Sequence, residues 1–339
     1  SRTKKFDTVI VVDPEKNAQV TVESDANTTY PLSEIDPGTY SAAPLNLNNS
    51  HKYRLRIKTS DNKEYVSDFV AVKNSPPIDS VGFKSLNDGV HLYVNTHDNS
   101  NKTRFYRWQY NEDWQFHSWY QSFWIGAARR QADQFRYYCF AKDVSASILI
   151  GSSTKLASDV IFQAPIATVP SCSEKIETKY SILVKQYALT PAAYNFWQNL
   201  QKNTDRLGGL FDAQPSENQS NYHCVSNPNE LVVGYLSVGS VATKRIFITH
   251  SQLLPGYETK DQYGCQIDTE YYAKAPFYSH PPGSTSPDIN DPNSGYTSVD
   301  GLFYNPPAPF GLPNAITYSK TVCADCTVRG EQTPPPFWK

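Results

Sequence analysis

The residues best suited to chemistry in this chain are six cysteines, at positions 139, 172, 224, 265, 323 and 326. The segment Cys323-Ala-Asp-Cys326 has the spacing of half a zinc site or of a redox pair. A zinc ribbon needs a second such pair, which the sequence lacks, and a redox pair should open a helix in a βαβ unit. The even count and scattered positions favour structural disulfides, with Cys265 as a distant partner for one cysteine of the pair. All six are disulfide candidates: Cys139, Cys172, Cys224, Cys265, Cys323 and Cys326. The remaining alternative is six buried free thiols.

No spacing of nucleophiles, acids or bases predicts a catalytic centre. The run from Gly234 to Gly239 has one residue too many for a serine-hydrolase elbow and lies in a predicted strand, Leu231 to Ser237. Glu112 and Asp113 are adjacent, so on a strand they face opposite ways and cannot act as an acid–base pair. We therefore expect a protein that is not an enzyme and needs no cofactor.

One loop is rich in oxygen ligands of the kind that Ca²⁺ prefers. Asp288 and Asp291 are its weak calcium candidates. The spacing departs from an EF-hand, and an ordinary Asx-rich turn accounts for it better, so no metal site is predicted.

Aromatic side chains are the strongest candidates for recognition. Ten of the 20 residues from Phe105 to Trp124 are aromatic. Tyr106, Trp108 and Tyr110 recur at every second position, which favours a sheet core over a stacking platform. The alternation is weaker after His117, so a contact surface is nearly as well supported there. The candidate ligand- or partner-binding residues are Trp119, Tyr120, Trp124, Tyr271, Tyr272, Tyr278, Tyr296 and Tyr304.

These residues must be positioned by a mainly β fold. Short alternating strands in residues 1–75 predict a small β-sandwich of the transthyretin or fibronectin type. Ser75-Pro76-Pro77 predicts a boundary, and residues 76–339 form a larger β-rich domain. That domain has one helix near 191–205, which starts at Thr190-Pro191, and a long loop rich in Pro, Gly, Ser and Tyr at 275–315.

Charge and hydropathy narrow the classes of partner. Lys plus Arg number 31 and Asp plus Glu 33, and this balance argues against nucleic acid. No apolar run is long enough for a membrane-spanning helix. Because the chain has no Met, we expect Ser1 to begin a processed product whose signal peptide or lipid anchor lay upstream.

Four segments resemble the Bacteroidota outer-membrane lipoprotein family known as domain of unknown function 4249. The first is Ser1-Arg2-Thr3, and the second is the aromatic run from Tyr106 to Trp114. The third runs from the helix at Tyr194 through Phe211-Asp212 and Asn227-Pro228-Asn229 to Ser237. The fourth is Cys323 to Gly330 followed by Pro336-Phe337-Trp338.

This resemblance implies an exported, lipid-anchored protein of the outer membrane that faces outward. Genes of that family tend to lie beside those of TonB-dependent transporters, which implies an accessory role in nutrient capture and a transporter as partner. The family supplies no ligand or catalytic residue to carry over.

Three hypotheses follow. The first is an accessory binding subunit of a TonB-dependent transporter. The second is a structural or adhesive subunit of an outer-membrane complex that binds no small molecule. The third and weakest is a secreted hydrolase, which no group of residues supports.

Overall fold

The computed structural model of the chain describes residues 2–6, 9–122, 124–125, 128–129, 135–205, 220–271, 295–304 and 313–338. These residues are organised mainly in antiparallel β-sheets, which confirms the predicted fold class. The strands of the first part of the chain are β1 Arg2–Phe6, β2 Val9–Asp13, β3 Gln19–Ser24, β4 Thr29–Asp36, β5 Thr39–Ser41, β6 Lys52–Lys58, β7 Glu64–Ser67 and β8 Val70–Ala71.

The rest of the chain adds fourteen strands and two α-helices in the described residues. The strands are β9 Ile78–Leu86, β10 Gly89–His97, β11 Phe105–His117, β12 Trp124–Ile125, β13 Ala128–Arg129, β14 Tyr138–Val144, β15 Leu149–Ser152, β16 Val160–Pro170, β17 Lys179–Ala188, β18 Tyr222–Cys224, β19 Val241–Thr249, β20 Asp268–Tyr271, β21 Tyr296–Tyr304 and β22 Pro313–Lys320. The helices are α1 Pro191–Asp205 and α2 Thr321–Ala324.

A seven-stranded antiparallel array holds most of the first 75 residues, in the order β18-β7-β6-β3-β4-β5 with β8 on β6. Its polar face carries Arg54 and Arg56, whose Nε atoms lie 2.7 and 2.6 Å from the carboxylate of Glu23 on the neighbouring strand. The edge strand β18 comes from residues 222–224 and pairs with β7, so sheet hydrogen bonds cross the predicted boundary. The division of the chain at Ser75 stays a prediction.

The larger core lies between two sheets formed by residues 78–249. The three-stranded sheet β16-β10-β9 packs on the sheet β14-β11-β17-β19, which also carries β15. Val90, Leu92 and Val94 from one sheet meet Tyr106 and Trp108 from the other, all five at most 1% exposed. The prediction that the alternating aromatics of β11 form a core is confirmed.

The predicted helix is present as α1. The Thr190 hydroxyl accepts a hydrogen bond from the Ala193 amide at 3.2 Å, the capping contact that the sequence indicates. On the opposite side of β11 from the core, the Tyr194 ring lies 4.8 Å from that of Phe105, and the Trp197 ring lies 3.8 Å from the Arg107 guanidinium. The helix therefore covers one end of the outer face of the five-stranded sheet.

Two predicted segments differ in the structure. Residues 231–237 form no strand, because the Asn221 side chain bonds the Leu236 amide and carbonyl in place of a neighbouring strand. The prediction of a long loop at 275–315 is wrong for the residues of β21 and for the start of β22. These two strands pair with each other, and both contain β-forming residues. Residues 275–294 and 305–312 of that prediction lie outside the described residues.

No α-helix in the described part of the chain is long and apolar enough to span a membrane.

Candidate recognition site

Of the three predicted recognition residues whose side-chain exposure the structure describes, Trp119, Tyr120 and Tyr296, Trp119 is the one that is exposed. It lies two residues after the end of β11, and 38% of its surface is exposed. The preceding Ser118 is fully buried, and its amide donates to the Tyr137 carbonyl at 2.9 Å. The chain is thus anchored one residue before the indole leaves the sheet.

Tyr120 connects this segment to a disulfide. Its amide donates to the Cys323 carbonyl at 2.9 Å, and its hydroxyl donates to the Cys265 carbonyl at 3.1 Å. Cys265 and Cys323 are bonded to each other. Tyr120, predicted as a contact residue, therefore fixes the backbone on which Trp119 is displayed.

A second disulfide joins Cys139 on β14 to Cys326. The two cysteines of the Cys323–Cys326 motif thus each cross-link to a different distant segment and not to each other. The prediction of structural disulfides is confirmed for these four cysteines, including the pairing of Cys265 with this motif. We call this group, residues 118–120, 265 and 323–326, the disulfide junction.

The disulfide prediction is wrong for Cys172 and Cys224, which are free thiols. Cys224 is buried on β18 in the first sheet array, whereas Cys172 follows β16 and its carbonyl accepts from the Lys260 amide. The two thiols therefore belong to different parts of the fold and are not bonded to each other.

Asp325 stabilises the turn between the two cysteines of the motif. Its carboxylate accepts from the Thr327 amide at 2.9 Å and hydroxyl at 2.6 Å, and from the Arg136 guanidinium at 2.8 Å. Burial alone would raise the pKa of Asp325, but the hydrogen bonds from Thr327 and Arg136 outweigh it and hold the pKa below its usual range. The carboxylate is therefore a charged structural group at neutral pH.

Arg329 joins the disulfide junction to the sheet core, a role that the sequence analysis missed. Its guanidinium lies 4.4 Å from the centre of the Phe116 ring and 4.9 Å from that of Tyr263, and it forms an ion pair with Glu174. Only 10% of its side chain is exposed. Its position after the cysteine motif was visible in the sequence, but nothing there indicated the two rings or the carboxylate.

The other predicted aromatic residues lie on strands next to the junction. Tyr296 and Tyr304 are on β21, which pairs with β22, and β22 continues directly into α2 with Cys323. Tyr271 is on β20, on the other side of β22, and Trp124 is on β12, which contacts β21. The half-buried Tyr296 ring meets Tyr318 edge-on at 5.7 Å.

Four predicted site residues lie outside the described residues. They are Tyr272, Tyr278, Asp288 and Asp291. Within the described residues, no group of three or more His, Cys, Asp or Glu side chains could hold a metal ion.

Glu112 and Asp113 lie on opposite sides of β11, as their adjacency predicts. Glu112 accepts from the Tyr180 hydroxyl and from Lys175, both at 2.6 Å, whereas Asp113 pairs with Arg245 at 2.9 Å. The pKa of Tyr180 is raised, mainly by its burial and next by the negative charge of Glu112. Both carboxylates therefore have structural partners within the fold.

A family model described as Domain of unknown function (DUF4249) matches residues 1–245. Three of the four segments that carry the resemblance lie inside that range, and the segment from Cys323 to Trp338 lies beyond it. No curated protein matches the chain.

Proposed function

The chain belongs to the family described as Domain of unknown function (DUF4249), and on this basis we propose that it is a cell-surface outer-membrane lipoprotein that serves a TonB-dependent transporter as an accessory binding subunit. The family itself carries no assigned activity. The proposal therefore depends on the character of the candidate site.

The observation that carries the proposal is the disulfide junction. Two disulfides fix the backbone around an exposed indole, and strands bearing further aromatic residues lie next to it. Rigid aromatic side chains bind partners at little cost in conformational entropy, and they are enriched at the centres of protein interfaces. Disulfides of this kind are typical of exported proteins, which supports a location outside the cytoplasm.

A lipid anchor would also reduce the affinity that the site needs. A protein tethered to the same membrane as its partner meets it at an effective concentration in the millimolar range for short flexible linkers. A modest surface around Trp119 would then suffice to keep the two together and to pass a captured nutrient to the transporter.

Affinity purification of the anchored, full-length protein from outer membranes in mild detergent tests the proposal. We expect a TonB-dependent transporter to co-purify, and we expect Trp119→Ala to reduce its yield at least fivefold. Phe69→Ala is the matched control, because Phe69 has a similar exposed fraction, 40% against 38%, but lies between β7 and β8 of the first sheet array.

Recovery of the protein without any transporter would contradict the proposal. Recovery of a different outer-membrane complex would favour the structural or adhesive subunit instead. Equal yields of transporter from both variants would support the transporter as partner and would show that Trp119 is not part of the binding site.

A further inference from the structure

Residues 331–338, which we call the strap, cross the outer face of the five-stranded sheet at the end that α1 leaves uncovered. The strap starts at β14, where Glu331 and Phe140 exchange two backbone hydrogen bonds of 2.9 and 2.7 Å. Its sequence is Glu-Gln-Thr-Pro-Pro-Pro-Phe-Trp. The proline ring fixes φ near −65°, so the three consecutive prolines are extended before they bind anything, and the chain turns where they end, over residues 335–338.

The sheet contacts the strap mainly through aromatic and cationic side chains. The Phe337 ring lies 3.4 Å from the Arg245 guanidinium. The Trp338 ring meets Phe140 edge-on at 5.2 Å and Phe247 edge-on at 5.7 Å, with the Lys179 ammonium 5.5 Å away. These four sheet residues form a groove that fits two consecutive aromatic side chains.

The groove is already set up by contacts that do not involve the strap. Asp113 and the Ser181 hydroxyl hold the Arg245 guanidinium at 2.9 and 2.7 Å. The Lys179 ammonium lies 5.0 Å from the Phe247 ring. A cation held against a ring face is attracted by the negative charge of that face, so these contacts keep the groove residues in place.

Backbone hydrogen bonds hold only the beginning of the strap. In the described part of the chain, none joins Thr333–Trp338 to the sheet, and the Trp338 amide donates instead to the Pro335 carbonyl within the strap, at 2.8 Å. A cavity of about 530 Å³ remains between strap and sheet, lined among others by Asp113, Phe140, Lys142 and Phe337. The prolines of the strap therefore span a cavity beside the groove, and the two rings at its far end occupy the groove itself.

We propose that this groove is a recognition site for an extended proline-rich peptide segment of a partner protein that ends in aromatic residues, and that the strap is its resident competitor. The strap shows which ligand chemistry fits: prolines that span the cavity, then two rings placed against Arg245, Phe140 and Phe247. Pro-rich segments bind aromatic-lined grooves in the same way, because their extended shape costs little entropy to fix. This site goes beyond the proposed function, since it requires no transporter.

Peptide binding to the full-length chain tests the proposal. The probe is a fluorescent peptide with the sequence of residues 332–338, and the protein is the double variant Phe337→Ala/Trp338→Ala, whose strap lacks both rings. By anisotropy we expect at least tenfold tighter binding to this variant than to the unchanged chain. A peptide with both aromatic residues replaced by Ala should bind neither.

A second variant keeps the test decisive if the double variant fails to fold. A Cβ atom at Gly330 would lie 2.4 Å from the Phe140 carbonyl oxygen, so Gly330→Ala should lift the start of the strap and leave its rings unchanged. We expect this variant also to bind the peptide more tightly than the unchanged chain does. Equal binding to all three proteins, or equal binding of the Ala-substituted peptide, would overturn the proposal.

Discussion

At the scale of single residues, Asp325 is the buried charged group of the disulfide junction. Its carboxylate is buried and accepts hydrogen bonds from Arg136 and Thr327, which lower its pKa against the effect of burial. A group whose pKa is lower in the folded state stabilises the fold above its unfolded pKa. That contribution is lost as the pH falls through the folded value.

Asp325→Asn should therefore destabilise the protein at pH 7 by roughly 1–3 kcal/mol, the usual cost of weakening a buried charge-assisted hydrogen bond. The difference from the unchanged chain should begin to shrink below about pH 4, where the carboxylate of the unfolded chain becomes protonated, and should be lost once the pH falls below the lower pKa of the folded state. Denaturant unfolding at a series of pH values measures both effects. The exposed Asp36→Asn serves as control, and a difference that stays constant down to pH 2 would contradict the assignment.

The structural role of a residue could be predicted from the sequence where one local rule determines that role. The alternation of Tyr106 and Trp108 gave the core face of β11, and Thr190-Pro191 gave the start of α1. The role of Arg329 was not readable, because Phe116, Tyr263 and Glu174 approach it from three distant parts of the chain. Long-range side-chain contacts of this kind leave no local pattern.

At the scale of elements, one disulfide attaches α2 to the segment that precedes β20, and the other attaches the turn after α2 to β14. Cys265 and Cys323 are 58 residues apart in sequence, and Cys139 and Cys326 are 187 apart. Cross-links that close long loops restrict the unfolded chain, and each is worth about 2–5 kcal/mol. Tyr120 depends on the first of them, because both of its hydrogen-bond acceptors belong to that cystine.

Replacing Cys265 and Cys323 together by Ser should lower the free energy of unfolding by about 2–5 kcal/mol in the absence of reductant. The matched control is Cys172→Ser, which removes a free thiol and should cost less than about 1 kcal/mol. Guanidinium unfolding followed by tryptophan fluorescence compares the two. Equal losses would show that this disulfide does not contribute to the fold as described.

The prediction of strands failed in two situations. In one, a side chain makes the hydrogen bonds that a neighbouring strand would make; in the other, the sequence around a strand is typical of loops. The segment 231–237 alternates like a strand, but Asn221 occupies the position of a neighbouring strand. β21 was predicted as loop, since the Pro, Gly and Ser around it outweighed its own β-forming residues. Cysteine pairing was open for the same reason: nothing local distinguishes free Cys172 and Cys224 from the four bonded cysteines.

At the scale of the whole molecule, the proposed recognition site lies apart from the large core. The large aromatic core lies between the two sheets of residues 78–249, and the disulfide junction lies where β11 ends and α2 begins. Gln186 links this core to the segment at the predicted boundary. Its amide nitrogen donates to the Pro76 carbonyl at 2.9 Å, while its oxygen accepts from the Trp108 indole at 2.9 Å.

The mainly β class was predictable because period-two patterns recur along most of the chain. The arrangement of sheets was not, since β18 joins the first array from a position about 150 residues downstream of its partner β7. Trp119 was predicted as a recognition residue from its type and its place after the alternating aromatic run, and that role stays a prediction. Its attachment to two disulfides required the three-dimensional contacts.

The most direct test replaces Trp119 by a photo-crosslinking amino acid in the anchored, full-length protein on intact cells. We predict one dominant crosslinked product, which mass spectrometry identifies as a TonB-dependent transporter, and little of it when the same amino acid stands at Phe69. Crosslinking to the transporter that is equal at both positions, or absent at Trp119, would contradict the claim that the disulfide junction recognises the partner.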